Sequence, residues 1–223
     1  MRLLRVLAIA TGFAALAAQP SAAQDGRQFK DAWFWGVKGG GLVYASASTT
    51  AAAAPLVGAE WLITRTRGGL YVAYDQAFLT TNGAFVDRDP DSLFFRDVRL
   101  TNLRRVTIAA MVFPMQSNRL HPYAGLGMAF SQIAGARLLT GPTTGPRYAV
   151  ALDSIQARKA GFSPILLAGT QMRLRPVSVF GQVTASPTQQ AFFLSNSGSS
   201  RAWNVSLEFG ARYNVGSSID RAR

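Results

Sequence analysis

The sequence predicts an all-β fold, an eight-stranded antiparallel up-and-down transmembrane β-barrel. Three observations predict it: strict alternation in the last strand, a secretion-type N-terminus and connections of alternating length. Between residues 203 and 213 apolar and polar side chains alternate, which is the period of a β-strand with two different environments. Trp203 and Tyr213 begin and end the apolar row, and the opposite row carries both signs of charge. Lipid outside and a polar lumen inside would produce this pattern.

The N-terminus resembles a cleavable secretory signal. Arg2 and Arg5 precede the apolar segment 6–18, and small residues follow at 21–23, as in signal peptides. This apolar run is shorter than the ~20 residues that a membrane-spanning helix needs. We therefore divide the chain into a signal peptide at 1–23, a short segment at 24–32, a barrel at 33–214 and a tail at 215–223.

Composition excludes several classes of site. The 223 residues include no cysteine and one histidine, and the formal charge is +12. Disulfides, thiolate metal sites and cysteine nucleophiles are thereby excluded, and we expect neither a metal nor a cofactor. A basic exported chain suits the anionic phosphates of lipid A, and nucleic acid is not an expected partner in the cell envelope.

Seven further segments before residue 203 have the composition of strands. The sixth alternates poorly, so its faces stay unassigned. The first, third, fifth and seventh connections are longer than the others, as expected when periplasmic turns are short and extracellular loops are long. The predicted extracellular loops are 45–54, 80–97, 132–161 and 185–201. The predicted strands are 33–44, 56–63, 70–79, 98–113, 123–131, 162–172, 177–184 and 203–213.

Two short segments carry a resemblance to a known group. The segments PYAGLG at 122–127 and GARYN at 210–214 resemble strand motifs of the small OmpA/OmpX-type outer-membrane β-barrels. The resemblance covers about residues 30 to 215. It implies a barrel in the bacterial outer membrane, placed there by the outer-membrane insertion machinery, and we expect a monomer. Such barrels usually end on an aromatic residue, a part that Tyr213 plays here although the chain continues to Arg223.

If the alternation is right, three acidic and three basic side chains face the lumen. Eight strands leave an interior that side chains can fill, and each buried charge needs a partner. A structural charge network is therefore preferred over a gated polar path. Strand order favours Lys38–Glu60 and Asp75–Arg105 contacts, and barrel closure brings Glu208 or Arg212 near Lys38. The predicted lumen network is Lys38, Glu60, Asp75, Arg105, Glu208 and Arg212.

Two sets of outward residues are predicted at the membrane surfaces. Amphipathic aromatic rings favour the interface, whereas arginine and lysine suit lipid phosphates. Arg104 shares the parity of its apolar row, so it should lie above the hydrocarbon. The expected aromatic girdle is Trp33, Trp35, Trp61, Phe113, Trp203 and Tyr213. The candidate lipopolysaccharide contacts are Arg104 and, in the third extracellular loop, Arg137, Arg147, Arg158 and Lys159, although a solvated loop is the preferred interpretation of that segment.

Catalysis and metal binding have little support. His121 lies at the predicted periplasmic start of its strand, with no serine two residues on, so it fits a turn better than a hydrolase triad. Asp87, Asp89 and Asp91 alternate like ligands of a calcium loop, but the glycine and distal glutamate of such a loop are missing.

The sequence therefore indicates a non-enzymatic outer-membrane barrel with a structural or surface-interaction role in the cell envelope. Three alternatives stay open. They are a narrow, porin-like channel for small solutes, a lipid A-modifying enzyme, and a soluble lipid-binding barrel with its apolar row inside.

Overall fold

The fold is a closed barrel of eight antiparallel strands in chain order, as predicted. The computed structural model describes residues 31–46, 49–89, 92–115, 119–139, 145–174, 176–187 and 203–217, so the predicted signal peptide lies outside the described residues. Each strand pairs with the next, and β1 pairs with β8 to close the barrel. The strands are β1 Ala32–Ser46, β2 Thr49–Thr64, β3 Gly68–Asp89, β4 Ser92–Val112, β5 Leu120–Leu138, β6 Ala160–Arg173, β7 Val177–Pro187 and β8 Trp203–Ser217.

The two faces of the strands follow the predicted alternation. In β8, Leu207 and Phe209 are exposed on the outside, whereas Ser206 and Glu208 are buried in the lumen. Successive side chains of a strand point to opposite faces, so one row of each strand fills the barrel and the other covers its exterior. The predicted inward polar row and outward apolar row of β8 are confirmed.

The two ends of the barrel differ. We call the end that carries Asp31 and Ser217 the lower end and the opposite end the upper end. Two predicted upper loops, 45–54 and 80–97, are wrong, because β1 continues to Ser46, β2 begins at Thr49, β3 continues to Asp89 and β4 begins at Ser92. The backbone continues to pair there, which satisfies its N–H and C=O groups whatever the side chains are.

A bulge at Asn102 changes the parity of β4. Below it Leu103 and Arg105 are buried, and above it Val98 and Leu100 are buried. Asn102 adopts a φ of 56°, and the register between β3 and β4 shifts at this level. Ala77 pairs with Leu103 and Thr80 pairs with Thr101, so two residues of β3 lie opposite Asn102 alone, and the side chains of β4 change face at this irregularity.

A helix, α1 at Pro146–Arg158, lies in the predicted long connection 132–161. It begins after Gly145, whose φ of 96° suits glycine, and a proline occupies its first turn. Ala151 and Ile155, four residues apart on one helix face, are fully buried against the upper barrel interior. Among the described residues, no helix is long and apolar enough to cross a bilayer.

The sixth strand has an interior row of mixed character. Ser163, Ile165 and Gln171 face inward, and Phe162 and Leu166 face outward. Because apolar residues occur on both faces, the period of two was hidden in the sequence.

Candidate functional site

The barrel interior is divided into three layers. A polar layer separates two apolar clusters, and it contains all six charged residues that the sequence predicted to face the lumen. The lower cluster contains Ala32, Phe34, Leu62, Tyr71, Ala73, Ala109, Met111, Phe113, Tyr123 and Leu167. The upper cluster contains Leu42, Tyr44, Ala54, Leu56, Ala77, Leu79, Val98, Leu100, Leu103, Ile133, Leu138, Ala151 and Ile155.

Four charged side chains form the centre of the polar layer. The Lys38 ammonium lies 2.8 Å from Asp75 and 2.7 Å from Glu208. The Arg105 guanidinium contacts the same two carboxylates, at 2.9 Å and 2.8 Å. Two cations and two anions therefore alternate around one buried square, which offsets the free energy that each charge loses on leaving water.

A second ion pair lies on the lower side of this square. Arg212 is fully buried and donates from Nε to Glu60 and from Nη1 to Gln171, the latter at 2.6 Å. Its guanidinium carbon also lies 3.9 Å from the centre of the Phe180 ring. Arginine combines ion pairing with stacking on aromatic faces, so lysine could not make the same set of contacts.

Two neutral side chains join these groups into one network. The Tyr71 hydroxyl donates to Glu60 and accepts from Lys38, both at 2.9 Å. Gln182 donates to Tyr71 at 3.1 Å and to Glu208 at 2.7 Å. Sequence reasoning did not select either residue for the network. The alternation could have indicated Tyr71, because it lies four residues from Asp75 on β3 and therefore shares the inward face of that strand.

The glycines of the neighbouring strands explain which charges meet. Lys38 pairs in register with Gly58, which in turn pairs with Asp75, so the lysine side chain reaches across a position without a side chain. Asp75 pairs directly with Arg105. A Cβ on Gly58 would lie within 3.1 Å of the lysine chain and 2.7 Å of the Tyr74 carbonyl oxygen. The strand register and the missing side chain at Gly58 therefore determine that Lys38 contacts Asp75.

One of the expected contacts is wrong. Lys38 does not meet Glu60 directly, because Glu60 pairs in register with Gly36, and Gly36 pairs with Arg212. Glu60 therefore bonds to Arg212 across the glycine, and among the described residues the Tyr71 hydroxyl connects it to the lysine.

The aromatic residues of the exterior lie partly as expected. Trp35 stacks on Trp61 with ring centres 5.8 Å apart, and Trp33 meets Trp61 edge-on at 5.3 Å. Trp203 and Tyr213 are also exposed. Phe113 is the exception: it is fully buried in the lower cluster beside Tyr123. Its place in the girdle was wrong because it follows the inward row of β4.

The other candidate residues are spread over the barrel. His121, expected in a turn, lies inside β5 and is buried at the lower end of the lumen. Arg104 and Arg137 are exposed and Lys159 is half-buried. The side chains of Arg147, Arg158, Asp87 and Asp89, and all of Asp91, lie outside the described part of the chain.

No protein-family model matches the chain, and no curated protein matches it. It is similar to the solved structure of Neisserial surface protein A, with 12% identity and a TM-score of 0.48 over 81% of this chain and 95% of that chain. The chain is also similar to the N-terminal β-barrel domain of Pseudomonas aeruginosa OprF, with 11% identity and a TM-score of 0.45 over 84% of this chain and 99% of that chain. A third similar structure is the outer membrane protein OprG from Pseudomonas aeruginosa, with 14% identity and a TM-score of 0.44 over 83% of this chain and 97% of that chain.

Proposed function

We propose that the chain is a non-enzymatic outer-membrane β-barrel with a structural or surface-interaction role in the bacterial envelope. One observation carries the proposal: the barrel presents large apolar side chains outward, while the six charged residues of the lumen network, Lys38, Glu60, Asp75, Arg105, Glu208 and Arg212, are buried inside. Every strand contributes to this exterior. The exposed set includes Val37, Val57, Tyr74, Ile108, Leu126, Leu166, Val183 and Phe209.

This distribution suits a barrel surrounded by lipid. A closed barrel leaves no unpaired strand edge in the membrane and satisfies its backbone groups internally. An apolar exterior band with aromatic residues near its edges is the corresponding surface. A soluble lipid-binding barrel needs the opposite arrangement, with apolar side chains lining the cavity, so the buried Lys38, Asp75 and Glu208 argue against that alternative.

The layered interior favours a structural role over conduction. A solute would have to pass the upper cluster beneath α1, then the ion-paired square, then the lower cluster with Phe34 and Phe113. We expect planar-bilayer currents at the baseline of the protein-free membrane. Stable unitary currents would instead support the narrow channel.

An enzymatic role has no built site in the described residues. His121 lies inside the lower end of the lumen. We propose that both ends of the barrel chain, and with them the lower end, face the periplasm, which places the outer leaflet at the upper end. We expect the lipid A of cells that overproduce the protein to keep all its acyl chains in mass spectrometry. Loss of an acyl chain would overturn the non-enzymatic assignment.

Fractionation of expressing cells tests the location. The proposal expects the protein in the outer-membrane fraction, with migration in detergent gels that shifts on boiling. Two matched variants sharpen the test: Ile108→Arg at 54% exposure on the outer wall, and Leu174→Arg at 56% exposure in a lower turn. Arginine near the membrane midplane costs about 2–4 kcal/mol but little at the interface, so only Ile108→Arg should reduce insertion. Equal behaviour of the two variants, or a soluble protein, would refute the proposal.

A further inference from the structure

Two arginines lie directly opposite each other on the outer wall of the barrel. Arg99 of β4 pairs in register with Arg137 of β5, and both side chains are exposed. Like charges in directly opposed positions of an antiparallel pair destabilise the sheet. An anion that binds both guanidinium groups would remove this repulsion.

The neighbouring side chains do not neutralise the positive charges of Arg99 and Arg137, so both guanidinium groups can bind an anion. Arg99 donates from Nε to the Asn82 amide oxygen at 3.2 Å, which orients the group without neutralising it. Among the described residues, no ion pair involves Arg99 or Arg137. Asp97 follows two residues above on the same outward face, so the two arginines and this carboxylate still sum to one positive charge. Both guanidinium groups keep N–H donors that an acceptor of high charge can use.

A third arginine occupies a lower level of the same wall. Arg104 is exposed, and it donates from Nε to Gln76 at 3.2 Å. Its five-residue separation from Arg99 would place the two on opposite faces of a regular strand. The bulge at Asn102 reverses the parity between them, so both face outward, about 16 Å apart along the strand at ~3.3 Å per residue.

We propose that this arginine wall, defined as Arg99, Arg104 and Arg137, binds the phosphate groups of lipopolysaccharide. The inference rests on the proposed outer-membrane location, which puts the upper end of the barrel in the outer leaflet. Arg104 contacts a lipid A phosphate next to the hydrocarbon. The Arg99–Arg137 pair contacts a phosphate farther from the membrane, with one guanidinium on each side of it.

Arg104 and the Arg99–Arg137 pair lie at two different heights on the barrel wall, and this separation favours lipopolysaccharide over a glycerophospholipid. A glycerophospholipid carries its phosphate at a single depth beside its acyl chains, so it could reach Arg104 but not the upper pair. Lipopolysaccharide carries phosphates on lipid A and on the sugars that extend from it, and therefore serves both levels. Planar guanidinium groups bind phosphate in a bidentate manner, which explains arginine at these positions.

The test uses the barrel in a neutral detergent and measures its affinity for purified lipopolysaccharide. We expect Arg99→Gln/Arg137→Gln to weaken binding by about tenfold or more, since charge-assisted hydrogen bonds to phosphate are lost. Arg104→Gln should weaken it separately. The matched control is Arg67→Gln in a lower turn, where the side chain is also exposed and affinity should not change.

Three probes identify the source of the phosphate. Dephosphorylated lipopolysaccharide should bind to the wild-type barrel at least as weakly as intact lipopolysaccharide binds to the double variant. Phosphatidylglycerol in the same detergent should not discriminate between wild type and the double variant, and inorganic phosphate should compete with intact lipopolysaccharide only for the wild type. Equal binding of intact and dephosphorylated lipopolysaccharide would overturn the inference, as would an equal loss in Arg67→Gln. Preferential binding of phosphatidylglycerol to the wild type would also overturn it, because a phosphate at a single depth would then be sufficient.

A stability measurement is specific to the opposed pair. Without lipopolysaccharide, Arg137→Gln should raise the thermal midpoint at low salt because it removes the repulsion from Arg99. With lipopolysaccharide, the same variant should gain less stability than wild type. A midpoint that does not rise in its absence would contradict the proposed repulsion. Outer-membrane fractionation of the variants separates a failure of this inference from a failure of the proposed location.

Discussion

The substitution Glu208→Gln tests the charge balance of the lumen. Glu208 is fully buried and accepts hydrogen bonds from Lys38, Arg105, Gln182 and Ser206 at 2.6–2.8 Å. Glutamine has the same shape but no charge. The substitution therefore leaves two cations facing a single carboxylate.

The expected magnitude follows from the number of charges left unpaired. Removing one partner of a buried ion pair costs about 3–5 kcal/mol, and Asp75 can compensate only one of the two cations. We expect the free energy of unfolding to fall by about that amount. The double variant Glu208→Gln/Lys38→Met removes the surplus cation, and it should recover most of the loss because a neutral, filled site replaces a buried pair at little net cost.

Urea unfolding of the barrel refolded in lipid vesicles, followed by tryptophan fluorescence, measures these differences. Asp153→Asn, on the exposed face of α1, is the matched control and should change stability by less than about 0.5 kcal/mol. The reasoning is refuted if Glu208→Gln costs under about 1 kcal/mol. It is also refuted if the double variant is no more stable than the single one.

Three further substitutions test other parts of the interior. Gly58→Val should strongly lower the refolding yield because its side chain would meet a lumen carboxylate and a backbone carbonyl, whereas Gly41→Val, with open space around its Cβ, should refold normally. Phe113→Ala should lower the unfolding free energy by about 3–5 kcal/mol, as for a buried aromatic residue, while a girdle residue would give a much smaller loss. Ile155→Asp should release α1 and speed its cleavage by added protease, whereas Val150→Asp, at 61% exposure, should leave the cleavage rate unchanged.

The sequence predicts the barrel well where one face is uniformly apolar. In β8 the alternation assigns both faces, and Glu208 and Arg212 lie inside as expected. The prediction from alternation fails where the period of two is interrupted. The bulge at Asn102 depends on the register of the neighbouring strand, and α1 lies in a segment that has no strand alternation to indicate where the connection folds.

The contacts within the lumen could not be predicted from strand order. A one-residue change of register moves every side chain to the other face, and the sequence does not reveal registers. Lys38 was expected to meet the acid of the next strand, Glu60, yet Gly58 lets it reach Asp75 two strands away. Glycine at an inward position is thus a signal in its own right, because it lengthens the reach of the charges beside it.

The upper lumen has two unlike walls, and this bears on whether water can cross the barrel. Strands β1–β5 and α1 supply the apolar cluster, whereas β6–β8 supply hydroxyls, including a Thr184–Ser206 hydrogen bond next to Glu208. This hydroxyl row leads directly into the ion-paired square, whose carboxylates already accept bonds from Lys38 and Arg105. Below the square the lumen is closed again by aromatic rings such as Phe113. We therefore predict that water entering along the hydroxyl wall stops at the square, and that the barrel gives no unitary currents in a planar bilayer although one end of its lumen has a polar wall.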